Sequence, residues 1–143
     1  TGIDIVKEQM NIASGKKLSF SQSDVKIQGH AIECRINAED PKTFLPSPGL
    51  ISLWHPPGGP GIRTDSHVYT GYEVPPFYDS MVGKIIAHGN NRHTAIARMK
   101  TALSEMAVEG IKSNIPLHQE VLQHSAFEKG GTNIHYLEKR LGI

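Results

Sequence analysis

The stretch HAIECRINAEDP, residues 30–41, constrains the fold more than any other part of this 143-residue chain. Side chains alternate across a strand, so Ile32, Cys34 and Ile36 form one apolar row while Ala31, Glu33 and Arg35 point the other way. One face must therefore be covered by other elements, and the other carries charge. Two accounts fit the charged face. It is either the solvated outside of an antiparallel sheet, with cross-strand partners for Glu33 and Arg35, or a functional surface on which the two act together.

The only cysteine, Cys34, lies on the apolar row. It has no partner for an internal disulfide and is read as a small buried hydrophobe rather than a nucleophile. Eight histidines are present, but none falls in an HExxH or paired CxxC and HxxxH spacing, so no metal site is expected. A net charge of +1 and the absence of any Lys/Arg block offer no field for a phosphate backbone, which argues against a nucleic-acid partner. No apolar run approaches the ~18 residues of a membrane span, and the start TGIDIVKEQM does not read as a signal peptide. A soluble cytoplasmic chain without a membrane partner is expected.

The remaining pattern gives a single domain over residues 1–143. Ile3, Val6 and Met10 mark one face of a helix over residues 3–13, stopped by Gly15; nothing precedes it to cover that face, which suggests a cut at a domain boundary. Residues 25–37 read as a strand, and AEDPKTFLPSPG as a loop forced by its prolines and glycine. LISLWHPP is a strand ended by prolines, and GGPGIRTDSHVY a hairpin-like turn running into a short strand. A proline-fixed loop, EVPPFYDS, leads into the buried strand MVGKIIAHG.

The clearest helix is NNRHTAIARMKTALSEMAV, with Ile96, Met99, Leu103 and Met106 at helical spacing, Asn90 or Asn91 as N-cap, and Gly110 as stop. IKSNI is expected to add a short strand, PLHQEVLQHSAF a helix with Pro116 in its first turn, and GGTNIHYLEKRLGI a loop and a short amphipathic helix. Strands early and helices late predict an α+β fold, mainly antiparallel sheet with flanking helices.

The chain shows no phosphate cradle. GGPG lacks the GxxxxGK[ST] spacing and no helix follows it to supply an N-terminal dipole. Glu39 and Asp40 are adjacent, so they diverge on an extended chain. A domain of this kind is expected to lend residues to a site built mostly elsewhere. Arg35 is the first to lend: a guanidinium fixed on a strand meets an anion with little loss of order, and Glu33 on the same face orients it. Tyr78 and Asp79 follow two prolines; either the segment presents polar groups at a strand entrance, or Asp79 simply caps the loop.

HAIECRINAEDP, FLPSPG, PPFYDSMVGKIIAHG and GIKSNIPL together closely resemble the C-terminal domain of the biotin carboxylases, and the similarity runs nearly end to end. The ending GGTNIHYLEKRLG is most similar to the separate bacterial subunit of acetyl-CoA carboxylase, rather than to the fused propionyl-CoA or pyruvate carboxylases. The resemblance implies an ATP-grasp ligase: ATP activates bicarbonate as carboxyphosphate, and the ureido nitrogen of biotin on a carrier protein is carboxylated, the first step of fatty acid synthesis.

It also implies a role for Arg35 as the catalytic residue, holding the developing enolate oxygen of biotin, with Glu33 in support. Ile134 and His135 of TNIHYL would lie at the adenine edge of the nucleotide pocket, and Arg63 and Asp79 at a dimer surface. Pro60 departs from the family pattern, in which a bulkier residue is common there. The implied cofactors are biotin on the carrier, with ATP and Mg2+ in the complete enzyme and none on this chain alone. The implied partners are the N-terminal and ATP-grasp domains, with the first helix as the tail of the latter, biotin carboxyl carrier protein, carboxyltransferase, and a second copy in a homodimer.

The family's phosphate lid, ATP lysines, magnesium glutamates and general base all precede the point matching Thr1, so the chain alone is expected not to turn over ATP. Two rival readings are the same domain from a propionyl-CoA or pyruvate carboxylase, and a non-catalytic interaction or dimerisation module in which Arg35 and Arg63 make only structural ion pairs.

Overall fold

β1 (His30–Asn37) alternates as its sequence requires, with Ile32, Cys34 and Ile36 at most 9% exposed and Glu33 and Arg35 facing outward. The computed structural model describes residues 1–142. β1 is an edge strand of an antiparallel three-stranded sheet in the order β1-β6-β4, where β4 is Ile62–Ser66 and the central β6 is Met81–Gly89. The register sets Cys34 against Ile85 and Thr64 on one face, and Arg35 against Lys84 and Asp65 on the other.

α2 (Arg92–Glu105) covers the apolar face, burying Ile96, Met99 and Leu103 against Ile36 and Ile85 in one core. It starts where Asn91 accepts a 2.9 Å bond from the Thr94 N–H, one of the two expected caps. The helix starts hard against the sheet: a Cβ on Gly89 would come within 2.7 Å of the Ala95 nitrogen. α3 (Ile115–Gln123) packs on α2, and the short α4 (Ser125–Lys129) on α3; α5 (Tyr136–Leu141) follows. The α+β reading therefore holds.

Several boundaries differ from the sequence reading. The first strand begins at His30, not at residue 25. LISLWHPP is not one strand: β2 (Gly49–Leu50) pairs with β5 (Glu73–Val74), and β3 (Leu53–His55) pairs with β7 (Ala107–Glu109). The chain changes partner between them, where the Ile51 N–H reaches the Tyr72 carbonyl and the Ser52 N–H reaches that of Glu109. β7 also shortens the long helix, since residues 107–109 leave it to pair with Trp54 and its neighbours. IKSNI is not a strand, and the helix after it breaks at His124 into α3 and α4.

GGPG forms a tight turn, closed by the Ile62 N–H on the Gly59 carbonyl, but it is no hairpin because β3 and β4 belong to different sheets. α1 (Ile5–Ala13) is capped by Asp4, and its Ile5, Val6 and Met10 are exposed. No helix among the described residues is long and apolar enough to cross a membrane.

Candidate functional site

The outer face of the three-stranded sheet collects the charged candidates. Residues opposite one another in register share a face, so Glu33 and Arg35 of β1, Lys84 of β6, and Arg63 and Asp65 of β4 all stand on the side away from α2. Arg35 and Arg63 are thus on one surface, separated by the width of β6. Arg35 faces a like charge, Lys84, across the ladder and turns instead along its own strand: its Nε donates to Glu33 Oε1 at 3.2 Å. Because Glu33 takes the Nε, the two terminal nitrogens of the guanidinium are left pointing into solvent. No other side chain among the described residues accepts from them. The Arg35 side chain is 68% exposed, so its charge is available to an incoming anion.

Among the described residues β1 has no strand on its second edge, and there the backbone of the Arg35 segment is held by Asn114 and His118 at the start of α3. Asn114 Nδ2 donates to the Arg35 carbonyl at 3.1 Å, Asn114 Oδ1 accepts from the Asn37 N–H at 2.9 Å, and its own N–H reaches the Asn37 carbonyl at 3.2 Å. His118, one turn along α3, places Nε2 2.8 Å from the same Arg35 carbonyl; a carbonyl only accepts, so this nitrogen carries the proton. Burial lowers the His118 pKa below its ordinary value, against the opposing pull of that hydrogen bond. The sequence reading missed both residues. A signal was present: Pro116 removes an N–H from the first turn of α3, one of the donors a capping Asn114 would otherwise take, and the Asn114 side chain makes no capping bond there.

Cys34 is 4% exposed, and burial, with the Glu33 charge adding to it, pushes its thiol up to about 12. A neutral thiol at that position is core, as its place on the apolar row implied. Asp79 accepts from the Met81 N–H at 2.8 Å and so fastens the entrance of β6. Arg63 pairs with Asp65 at 3.1 Å, both side chains being half or more exposed. Ile134 is 88% exposed and contributes to a shallow pocket of about 240 Å³ lined also by Leu117, His118, Val121, Phe127 and Tyr136. His135 does not line this pocket; its Nδ1 lies 2.8 Å from Glu138 Oε2. His118 therefore touches both the Arg35 segment and the Ile134 pocket.

Among the described residues no group of three or more His, Cys, Asp or Glu side chains is placed to hold a metal ion.

Comparison with known proteins shows the family of the chain. The family model for the biotin carboxylase C-terminal domain matches residues 33–139. The biotin carboxylase of Haemophilus influenzae is 63% identical over 143 residues, all of this chain and 32% of that protein. That of Pseudomonas aeruginosa is 62% identical over the same length, again with 32% of the relative covered. The chain thus spans about a third of the curated relatives it matches. Among solved structures, the biotin carboxylase domain dimer of the Hydrogenobacter thermophilus 2-oxoglutarate carboxylase, in complex with MgADP, ADP and bicarbonate, superposes with a TM-score of 0.94 at 43% identity, covering 98% of this chain and 31% of that one.

Proposed function

The chain belongs to the biotin carboxylase C-terminal domain family, and from that premise we propose that it is the C-terminal part of a biotin carboxylase that carboxylates carrier-bound biotin with ATP and bicarbonate. The observation that carries the proposal is the Arg35 guanidinium, anchored through Nε to Glu33 with its terminal nitrogens open on the outer face of β1. A fixed cation of this kind stabilises an oxyanion as charge develops, with no reorganisation at the moment of reaction. Arg35 therefore binds the anionic reactants and stabilises the enolate oxygen of biotin, and Glu33 orients it. The bicarbonate in the Hydrogenobacter thermophilus relative supports an anion as its ligand.

ATP and magnesium belong to the complete enzyme, a reading supported by the MgADP in the Hydrogenobacter thermophilus relative. The apolar wall containing Leu117, Val121 and Ile134 suits one face of the adenine ring, and His135 follows Ile134 directly in the chain. Residues 1–143 then act as one C-terminal domain, with α1 as the tail of the ATP-grasp domain before it. Arg63 and Asp79 serve the contact between two copies of the full subunit, a reading supported by the dimeric relative. The high identity to bacterial biotin carboxylases favours the cytoplasmic acetyl-CoA carboxylase, with a biotin carrier protein and a carboxyltransferase as partners.

The test is isotopic. The full-length polypeptide that contains this chain, given labelled bicarbonate, ATP, magnesium and biotin, is expected to fix acid-labile label on biotin. Label fixed equally without ATP, or none fixed by a folded protein, would sink the proposal.

A further inference from the structure

Arg35 must be held in place on β1 if its guanidinium is to meet a reacting anion. Arg35 is on the unpaired edge of a sheet, one residue before the register of β1 slips between Ile36 and Asn37. An edge strand beside an irregularity is held on one side only, which is a poor mount for a side chain that must meet a reacting oxygen. The free edge is instead sewn to α3 at this one place. Asn114 is 7% exposed, stands at the N-cap position, makes no side-chain cap, and uses its amide on both sides of the slip, toward the Arg35 carbonyl and the Asn37 N–H. His118 adds a second donor to the same Arg35 carbonyl.

We infer that Asn114, assisted by His118, is a positioning residue for the biotin-carboxylation site, fixing the Arg35 peptide so that the guanidinium stays aimed at the reacting anion. The inference rests on the role proposed for Arg35. The arrangement serves aim rather than mere edge covering, because both donors converge on one carbonyl, that of Arg35. A displacement of about 1 Å in a group that must meet a transition state can cost up to about 100-fold in rate, so two bonds to its own peptide bear directly on catalysis.

The experiment is a set of substitutions in the full-length enzyme, read as kcat and KM for ATP-dependent biotin carboxylation. Asn114→Asp keeps an acceptor for the Asn37 N–H and removes the donor to Arg35. His118→Ala removes the other donor, and His118→Gln restores an N–H. Asn114→Asp is expected to lower kcat about tenfold with KM for ATP unchanged, and His118→Ala to lower kcat about threefold, with the kcat of His118→Gln within about twofold of wild type.

In an Arg35→Ala background the further effect of either substitution is expected to vanish, because the group they aim is gone. The same fold-loss with and without Arg35, or a His118→Ala defect confined to the KM for ATP, would overturn the inference. If Asn114→Asp does not fold, the His118 pair alone decides the matter by the same criteria. An Arg35→Ala enzyme with full activity would remove the parent reading itself, and is recognised by that single variant before any double substitution is made.

Discussion

Glu33 Oε1 accepts from Arg35 Nε, so the carboxylate holds the side of the guanidinium and leaves its two outer nitrogens free. Both side chains are well exposed, and such pairs contribute at most about 1 kcal/mol to stability. Glu33→Gln is therefore expected to leave the unfolding free energy of the full-length protein unchanged within that margin, while lowering carboxylation several-fold. Equal turnover in the variant would reduce Glu33 to a surface charge.

Cys34 is expected to be inert in the native protein. With its thiol pushed up to about 12, almost no thiolate exists at pH 8. Alkylation by iodoacetamide, followed by mass spectrometry of the peptide containing Cys34, should be slow natively and fast in urea. Rapid native labelling would mean that β1 leaves its core position. Cys34→Ser places a hydroxyl among Ile32, Ile36 and Ile85 and is expected to cost about 1–3 kcal/mol.

Acid should weaken the protein partly through Asp40. The Lys112 ammonium 2.7 Å away, and the N–H groups of Thr43 and Lys42, hold its carboxyl well below the usual carboxylate range. The folded form thus favours the ion, and its contribution is fully present above the unfolded value of about 3.9 and is lost as pH falls below it. The gap between the unfolding midpoints of wild type and Asp40→Asn should be wide at pH 7, begin to shrink below about pH 4, and close only as pH falls through the depressed folded value. A gap independent of pH would show that Asp40 is not linked to folding.

Gly110 has a φ of +92°, and a Cβ there would run into the Leu50 carbonyl where β7 passes the β2 segment. Backbone strain alone costs about 1–3 kcal/mol for a side chain in such a conformation, before the clash is relieved. Gly110→Ala should lower the unfolding midpoint by more than Gly131→Ala, at a φ of +79° with open space around it. Equal shifts would mean that the clash relaxes without cost.

What could be read in the sequence was what a short local pattern determines. The period of two in Ile32, Cys34 and Ile36 reports the buried face of β1, and Asn91 before a helical stripe reports the start of α2. The charged pair on β1 was visible for the same reason. The splitting of LISLWHPP was not visible, because it depends on Tyr72 and Glu109 arriving from distant segments to receive Ile51 and Ser52. Residues 107–109 likewise leave a helical pattern only because the backbone of β3 offers them a ladder. Asn114 lay within IKSNI, expected as a short strand, and its actual side-chain bonds cross 77 and 79 residues of sequence. The pocket beside Ile134 and the face that Arg63 shares with Arg35 depend on helix packing and sheet register, which no local pattern reports.

The central claim is that this chain lends one cation to a carboxylation site. Steady-state carboxylation of biotin by the full-length enzyme, comparing wild type with Arg35→Ala, tests it most directly. The account predicts a fall in kcat of about 100-fold or more, with an unchanged unfolding midpoint and little change in the KM for ATP. A folded Arg35→Ala enzyme that carboxylates biotin at the wild-type rate would contradict it.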